Sequence, residues 1–183
     1  MKGWIIMYCK KLYNILQDND HKEFNITKTD IEKLDDFIRN KTTSRERLNL
    51  DPAKLSIIMR MDQQKSIRLF VLGCKQELFK MKVYIDCDLC NDRHYIDDIY
   101  EDLLCEESGE IINIKNNKDK IYVYFELLEK PVICNKVKKN QSYMIDDIMG
   151  KCNPSNTSIL DVENAGFSQN TISSYMKGKF GWE

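Results

Sequence analysis

Two short turns carry the residue types best suited to chemistry. The first is Cys87-Asp88-Leu89-Cys90, a complete C-x2-C. The second is Cys105-Glu106-Glu107-Ser108-Gly109, with Ser108 at the offset of a second cysteine. Thiolates on paired turns are a preferred tetrahedral set for structural zinc. A neutral serine hydroxyl is a poor ligand, so the pattern reads as a zinc ribbon that has lost its last ligand. His94, Glu106, Glu107 or water would complete it, and the metal-site candidates are Cys87, Cys90, Cys105 and His94. Without metal, the same turns would form a vestigial ribbon held by its hairpins. Catalytic zinc draws mostly on histidine and carboxylate and keeps one position open. This chain has only His21 and His94. Any zinc is therefore expected to be structural.

No second constellation accompanies these turns. The sequence has no P-loop, G-x-S-x-G, H-E-x-x-H or dinucleotide fingerprint. Cys74, Cys134 and Cys152 have no histidine nearby to activate a thiol. The expectation is a protein that is not an enzyme.

Net charge is −1, but its distribution is uneven. Residues 39–82 carry a net charge of about +7 and residues 86–112 about −9. The acidic run includes Asp97, Asp98, Glu101, Asp102, Glu106, Glu107 and Glu110. Such a surface repels phosphate and suits a basic protein face. Seven cysteines, an odd number, and no signal-peptide pattern point to a reducing cytoplasm. No run reaches the ~18–20 apolar residues that span a membrane. Abundant Lys, Ile, Asn and Asp fit a low-GC bacterial or phage coding sequence.

The elements that must position the turns follow from periodicity. Residues 4–17 have helical spacing. Thr29-Asp30-Ile31-Glu32 reads as a capping box before the stripe Ile31, Leu34, Phe37 and Ile38. Ser44 is placed to cap a short helical turn. Asp51-Pro52 is a clean helix start. From residue 67 the alternation of Ile67, Leu69 and Val71 reads as a strand, with a turn at 73–76 and a second strand over Phe79–Ile85. Residues 110–115 and 121–127 read as a hairpin. Residues 136–142 read as a linker and 143–149 as a short helix. Ala165-Gly166-Phe167-Ser168, followed by Gln169-Asn170, resembles a repressor turn and recognition helix, but the preferred reading is a short terminal helix capped by Ser168.

Helix, short helix, helix and hairpin over 26–86 is the order of a winged helix-turn-helix. The expected fold class is α+β: a winged helix followed by a small β-hairpin zinc-ribbon-like domain, with helical termini. The expected units are an N-terminal helix (1–25), a winged-helix domain (26–86), a ribbon-like β domain (87–131) and a linker with helical tail (132–183). Candidate nucleic-acid contacts are Arg45, Arg47, Lys54, Arg60, Lys80 and Lys82, acting mainly on phosphates. Candidate partner-binding anchors are Trp4, Tyr8, Phe167, Tyr175 and Trp182, since aromatic residues dominate interfaces.

The run Lys82–Cys90, then Leu104–Ile112, then Ile121–Leu127, resembles a bacterial module that pairs a winged helix with a zinc ribbon and a following strand. The likeness covers about residues 26–130. Such modules occur in small subunits of multi-gene antiphage and conflict systems. The resemblance implies a non-catalytic adaptor or sensor subunit in a hetero-oligomer, beside an effector nuclease, protease or ATPase. The alternative is a DNA-binding regulator or antitoxin that uses the basic winged helix.

Overall fold

The computed structural model describes residues 7–131 and 156–177. The protein is mixed α+β. Helices α1 (Met7–Ile15), α2 (Asp20–Glu23), α3 (Lys28–Asn40), α4 (Pro52–Met59) and α5 (Gln63–Lys75) come first, with a 3-10 turn at Glu46–Leu48. Strands β1 (Phe79–Asp86), β2 (Arg93–Tyr95), β3 (Leu103–Leu104), β4 (Ile111–Ile112) and β5 (Ile121–Leu127) follow. Helices α6 (Ile159–Asn164) and α7 (Gln169–Lys177) close the described chain.

Local chemistry sets most boundaries. The α3 capping box is Thr27 with Asp30, two residues earlier than expected. Ile26 and Ile31, flanking that cap, are both buried and form the staple that fixes it. Asp51 caps α4 with Pro52 at its first turn, as expected. The Thr43 hydroxyl, in place of Ser44, accepts from the Glu46 amide (3.2 Å) and opens the 3-10 turn. Ser158 and Asp161 form a capping box on α6. The Ser168 hydroxyl accepts from the Thr171 amide (3.3 Å) at the start of α7, as expected.

The expected wing is corrected by α5. Residues 67–71 are helical, capped by Asp62, whose side chain accepts from the Lys65 amide. Ile67, Phe70, Val71 and Cys74 share one face at helical spacing, and Leu69 and Leu72 are buried as well. A helix covered on most sides leaves a nearly continuous apolar run, which period-two alternation cannot separate from a strand. Gly73 is what lets α5 lie against β1, because a Cβ there would overlap the Phe79 ring.

The three-stranded antiparallel sheet has the order β2-β1-β5, and β3 pairs with β4 alone. The expected 110–115/121–127 hairpin is therefore not formed. Instead, Ile111 and Ile112 pair with Leu104 and Leu103, and β5 pairs with β1 from Phe79↔Leu127 to Ile85↔Ile121. That pairing joins residues from both sides of the boundary expected at residue 86. Phe79, Met81, Val83, Ile85, Ile121, Val123 and Phe125 line the inner face, all buried. α5 and α7 pack on β1, and Phe70, Phe79 and Phe125 form an aromatic cluster. One core runs from Leu12 to Met176. Among the described residues, no helix is long and apolar enough to cross a membrane.

Candidate metal centre

Each cysteine turn closes a hairpin: the first links β1 to β2 and the second links β3 to β4. The turns are built alike. The Cys87 amide donates to the Asp92 carbonyl and the Asn91 amide to the Cys87 carbonyl, both at 2.9 Å. In the second turn, the Cys105 amide donates to the Glu110 carbonyl and the Gly109 amide to the Cys105 carbonyl, both at 2.8 Å. Asn91 and Gly109 occupy equivalent positions with left-handed backbone, φ 61° and 71°. The Asp92 amide points at Cys90 Sγ (3.4 Å), as the Glu110 amide points at Ser108 Oγ (3.3 Å). Ser108 is thus the structural counterpart of Cys90, at the fourth corner.

The three sulfurs lie within 4.8 Å of one another and could hold a metal ion. Cys90 Sγ and Cys105 Sγ are 3.5 Å apart. Ser108 Oγ and Glu110 Oε2 each lie 3.4 Å from Cys87 Sγ. In a zinc tetrahedron with Zn–S of ~2.3 Å and Zn–O of ~2.0 Å, sulfur sits about 3.8 Å from sulfur and about 3.5 Å from oxygen. The donor spacing therefore fits zinc. Hydrogen bonds from the Ser108 hydroxyl and amide favour the Cys105 thiolate and bring that thiol down to about 6. At Cys90 the Asp92 amide favours the thiolate, but burial and the neighbouring sulfurs prevail and push it up to about 12. A cation would let all three thiolates coexist.

His94 stands outside this cluster, which corrects its place among the ligands. It pairs with inward-facing Ile85 in β2, and its Nε2 is buried without a hydrogen-bond partner among the described residues. Glu106 and Glu107 are exposed on the second turn. The carboxylate beside Cys87 Sγ is Glu110, which the sequence reading missed. Its signal was the parallel with Asp92, two residues past the last turn ligand.

The other expected site residues are scattered. Arg47 donates to the Ile38 and Thr42 carbonyls and so closes the end of α3. Lys54 pairs with Glu46, and Lys82 with Glu126 (2.8 Å). Arg45, Arg60 and Lys80 are exposed, with Arg60 at the left-handed end of α4. Phe167 is buried against Phe24, with ring centroids 5.1 Å apart, and Tyr175 is half-buried on the core. Phe167 therefore serves the protein's own packing and is not presented to a partner. Arg68 ties this region down by donating to the Ala165 carbonyl (2.9 Å). Trp4 and Trp182 lie outside the described residues, as do the side chain of Tyr8, Cys134, Cys152, and the expected linker and helix over 136–149. Cys74 is buried, and burial pushes its thiol up, as befits an inert core residue.

Comparison of the chain with protein-family models, curated proteins and solved structures returned no match.

Proposed function

We propose that this protein is a non-enzymatic adaptor or sensor subunit, ordered by one structural zinc in a ribbon-like pair of hairpins, that binds a partner effector protein. The setting is the one its sequence resemblance implies, a bacterial multi-gene antiphage system. The observation that supports this reading is the cluster of three cysteine sulfurs with two oxygen donors beside it. Cys87, Cys90 and Cys105 would supply three ligands, and Ser108 or Glu110, each 3.4 Å from Cys87 Sγ, would fill the fourth side. Structural zinc sites are closed in this way, whereas catalytic sites keep a position for substrate.

The hairpins also supply a docking face. Leu104 and Ile111 are cross-strand neighbours, 58% and 69% exposed, and Leu89 on the first turn is 68% exposed. Asp102, Glu106 and Glu107 flank Leu104 in sequence. An apolar centre with an acidic rim suits a basic protein face. The reading of a duplex-DNA regulator has less support, because 67–71 is helical and Arg47, Lys54 and Lys82 are engaged within the chain.

Co-purification from the native operon tests the proposal. A stoichiometric partner encoded beside this chain, lost with Leu104→Ser and Ile111→Ser together and weakened by salt, is expected. A monomer without any operon-encoded partner would overturn it.

A further inference from the structure

The outer face of the three-stranded sheet carries an aromatic row. Tyr84 pairs in register with Tyr95 on one side and Tyr122 on the other, so three tyrosines line up across the whole sheet. Tyr124 stacks on Tyr84, with centroids 5.3 Å apart and planes 16° apart. Cations border the row. The Arg93 guanidinium lies 3.8 Å from the Tyr84 ring centroid. Lys82 is the cross-strand partner of Tyr124, and Lys80 is exposed on the same face. Asn49, Lys82, Tyr84, Arg93, Tyr95 and Tyr124 enclose an open cavity of about 230 Å³. Tyr95 is 60% exposed at its rim.

We infer that this face binds single-stranded nucleic acid, stacking a base on Tyr95 at the edge of the tyrosine row and holding the adjoining phosphates with Lys80 and Arg93. Tyr95 is the exposed ring of the row, while Tyr84 is buried against Arg93 and Tyr124; an open ring beside cations is the combination that single strands recognise without sequence readout. A duplex offers no free base to such a ring, and the cations beside it suit the phosphates of a strand. Two carboxylates share the face: Asp86 pairs with Arg93 (3.1 Å) and Glu126 with Lys82 (2.8 Å). The Arg93–Asp86 pair is exposed and of small net worth, so a phosphate can exchange with it, whereas Lys82 is part-buried and also donates to the Leu48 carbonyl (3.3 Å). Lys80, expected from sequence to work on a wing, thus finds a different platform. This inference does not rest on the adaptor reading.

The test is fluorescence anisotropy of the full chain with a labelled oligothymidylate of roughly 12 nucleotides, within the ~4–16 that one small β fold covers. A duplex of equal length is measured beside it. The single strand is expected to bind more tightly than the duplex, with affinity falling as salt rises. Tyr95→Ala should weaken binding by roughly tenfold or more, and Tyr95→Trp should retain it. Lys80→Glu should weaken binding and flatten the salt dependence. Both positions are exposed, and thermal melting confirms that the variants are folded. No binding at low salt, equal binding of duplex, or affinity unmoved by both Tyr95→Ala and Lys80→Glu would overturn the inference. So would an operon-encoded protein that needs Tyr95 while the oligonucleotide goes unbound.

Discussion

At Ser108 the chain keeps the backbone of a zinc turn and changes the donor. The hydroxyl still accepts the Glu110 amide that a sulfur would accept, and it donates to a cysteine sulfur. The charge a fourth thiolate would bring is available from Glu110, since carboxylates are among zinc's ordinary ligands. Glu110→Gln is therefore expected to lower zinc retention against a chelator about 10–100-fold, in line with the loss of a metal-orienting group, and Ser108→Ala to lower it less. Ser108→Cys should raise both zinc retention and melting temperature. Chelator competition with a colorimetric zinc dye reads all three. A larger loss for Ser108→Ala than for Glu110→Gln would make the serine, and not the glutamate, the ligand. The three cysteines were legible because C-x2-C is local. Glu110 was not, because its role depends on how a second turn folds back on the first.

At the scale of elements, caps and packing decide what the chain becomes. Asp30 holds the start of α3 through Thr27 and reaches Lys65 on α5 (3.1 Å). Burial pushes its carboxyl up, but the Thr27 hydrogen bonds and Lys65 outweigh burial and hold it below the usual value. A depressed carboxylate stabilises the fold above its unfolded pKa and loses that contribution as pH falls through its folded pKa. Asp30→Asn should thus cost about 1 kcal/mol at neutral pH, and its gap from the parent protein should close on acidification, as read from denaturant melts across pH. Gly73→Ala should destabilise by about 1–3 kcal/mol through overpacking on Phe79, against roughly 1 kcal/mol gained in helix propensity. A raised melting temperature for Gly73→Ala would mean that Phe79 moves aside. Helix starts such as Asp51-Pro52 were legible because capping is a local interaction. The α5 helix was not, because Leu69-Phe70-Val71-Leu72 is apolar in every register and only its neighbours decide its form.

For the whole molecule, the uneven charge of the sequence is partly spent inside the fold. Basic residues of 39–82 close helix ends and pair with Glu46 and Glu126, while the acidic stretch carries the cysteine hairpins. The tail that reads as a separate piece in sequence is joined to the core. Ile159, Val162 and Ile172 are buried there, and the Thr157 hydroxyl donates to Asp51 (2.8 Å) at the start of α4. A chain ending at residue 155 is therefore expected to lose its cooperative thermal transition, and retention of that transition would show the tail to be dispensable. Long-range joins of this kind leave no local periodicity, which is why the order of elements was readable and their partnership was not. The proposed occupant of the cysteine hairpins is one structural zinc. Its most direct test is the metal-to-protein ratio, by mass spectrometry, of protein purified without chelator. About one zinc per chain is predicted, on the four-donor requirement of such sites; it should be lost together with thermal stability in Cys87→Ser. Metal-free protein that melts cooperatively, at a temperature that added zinc leaves unchanged, would contradict it.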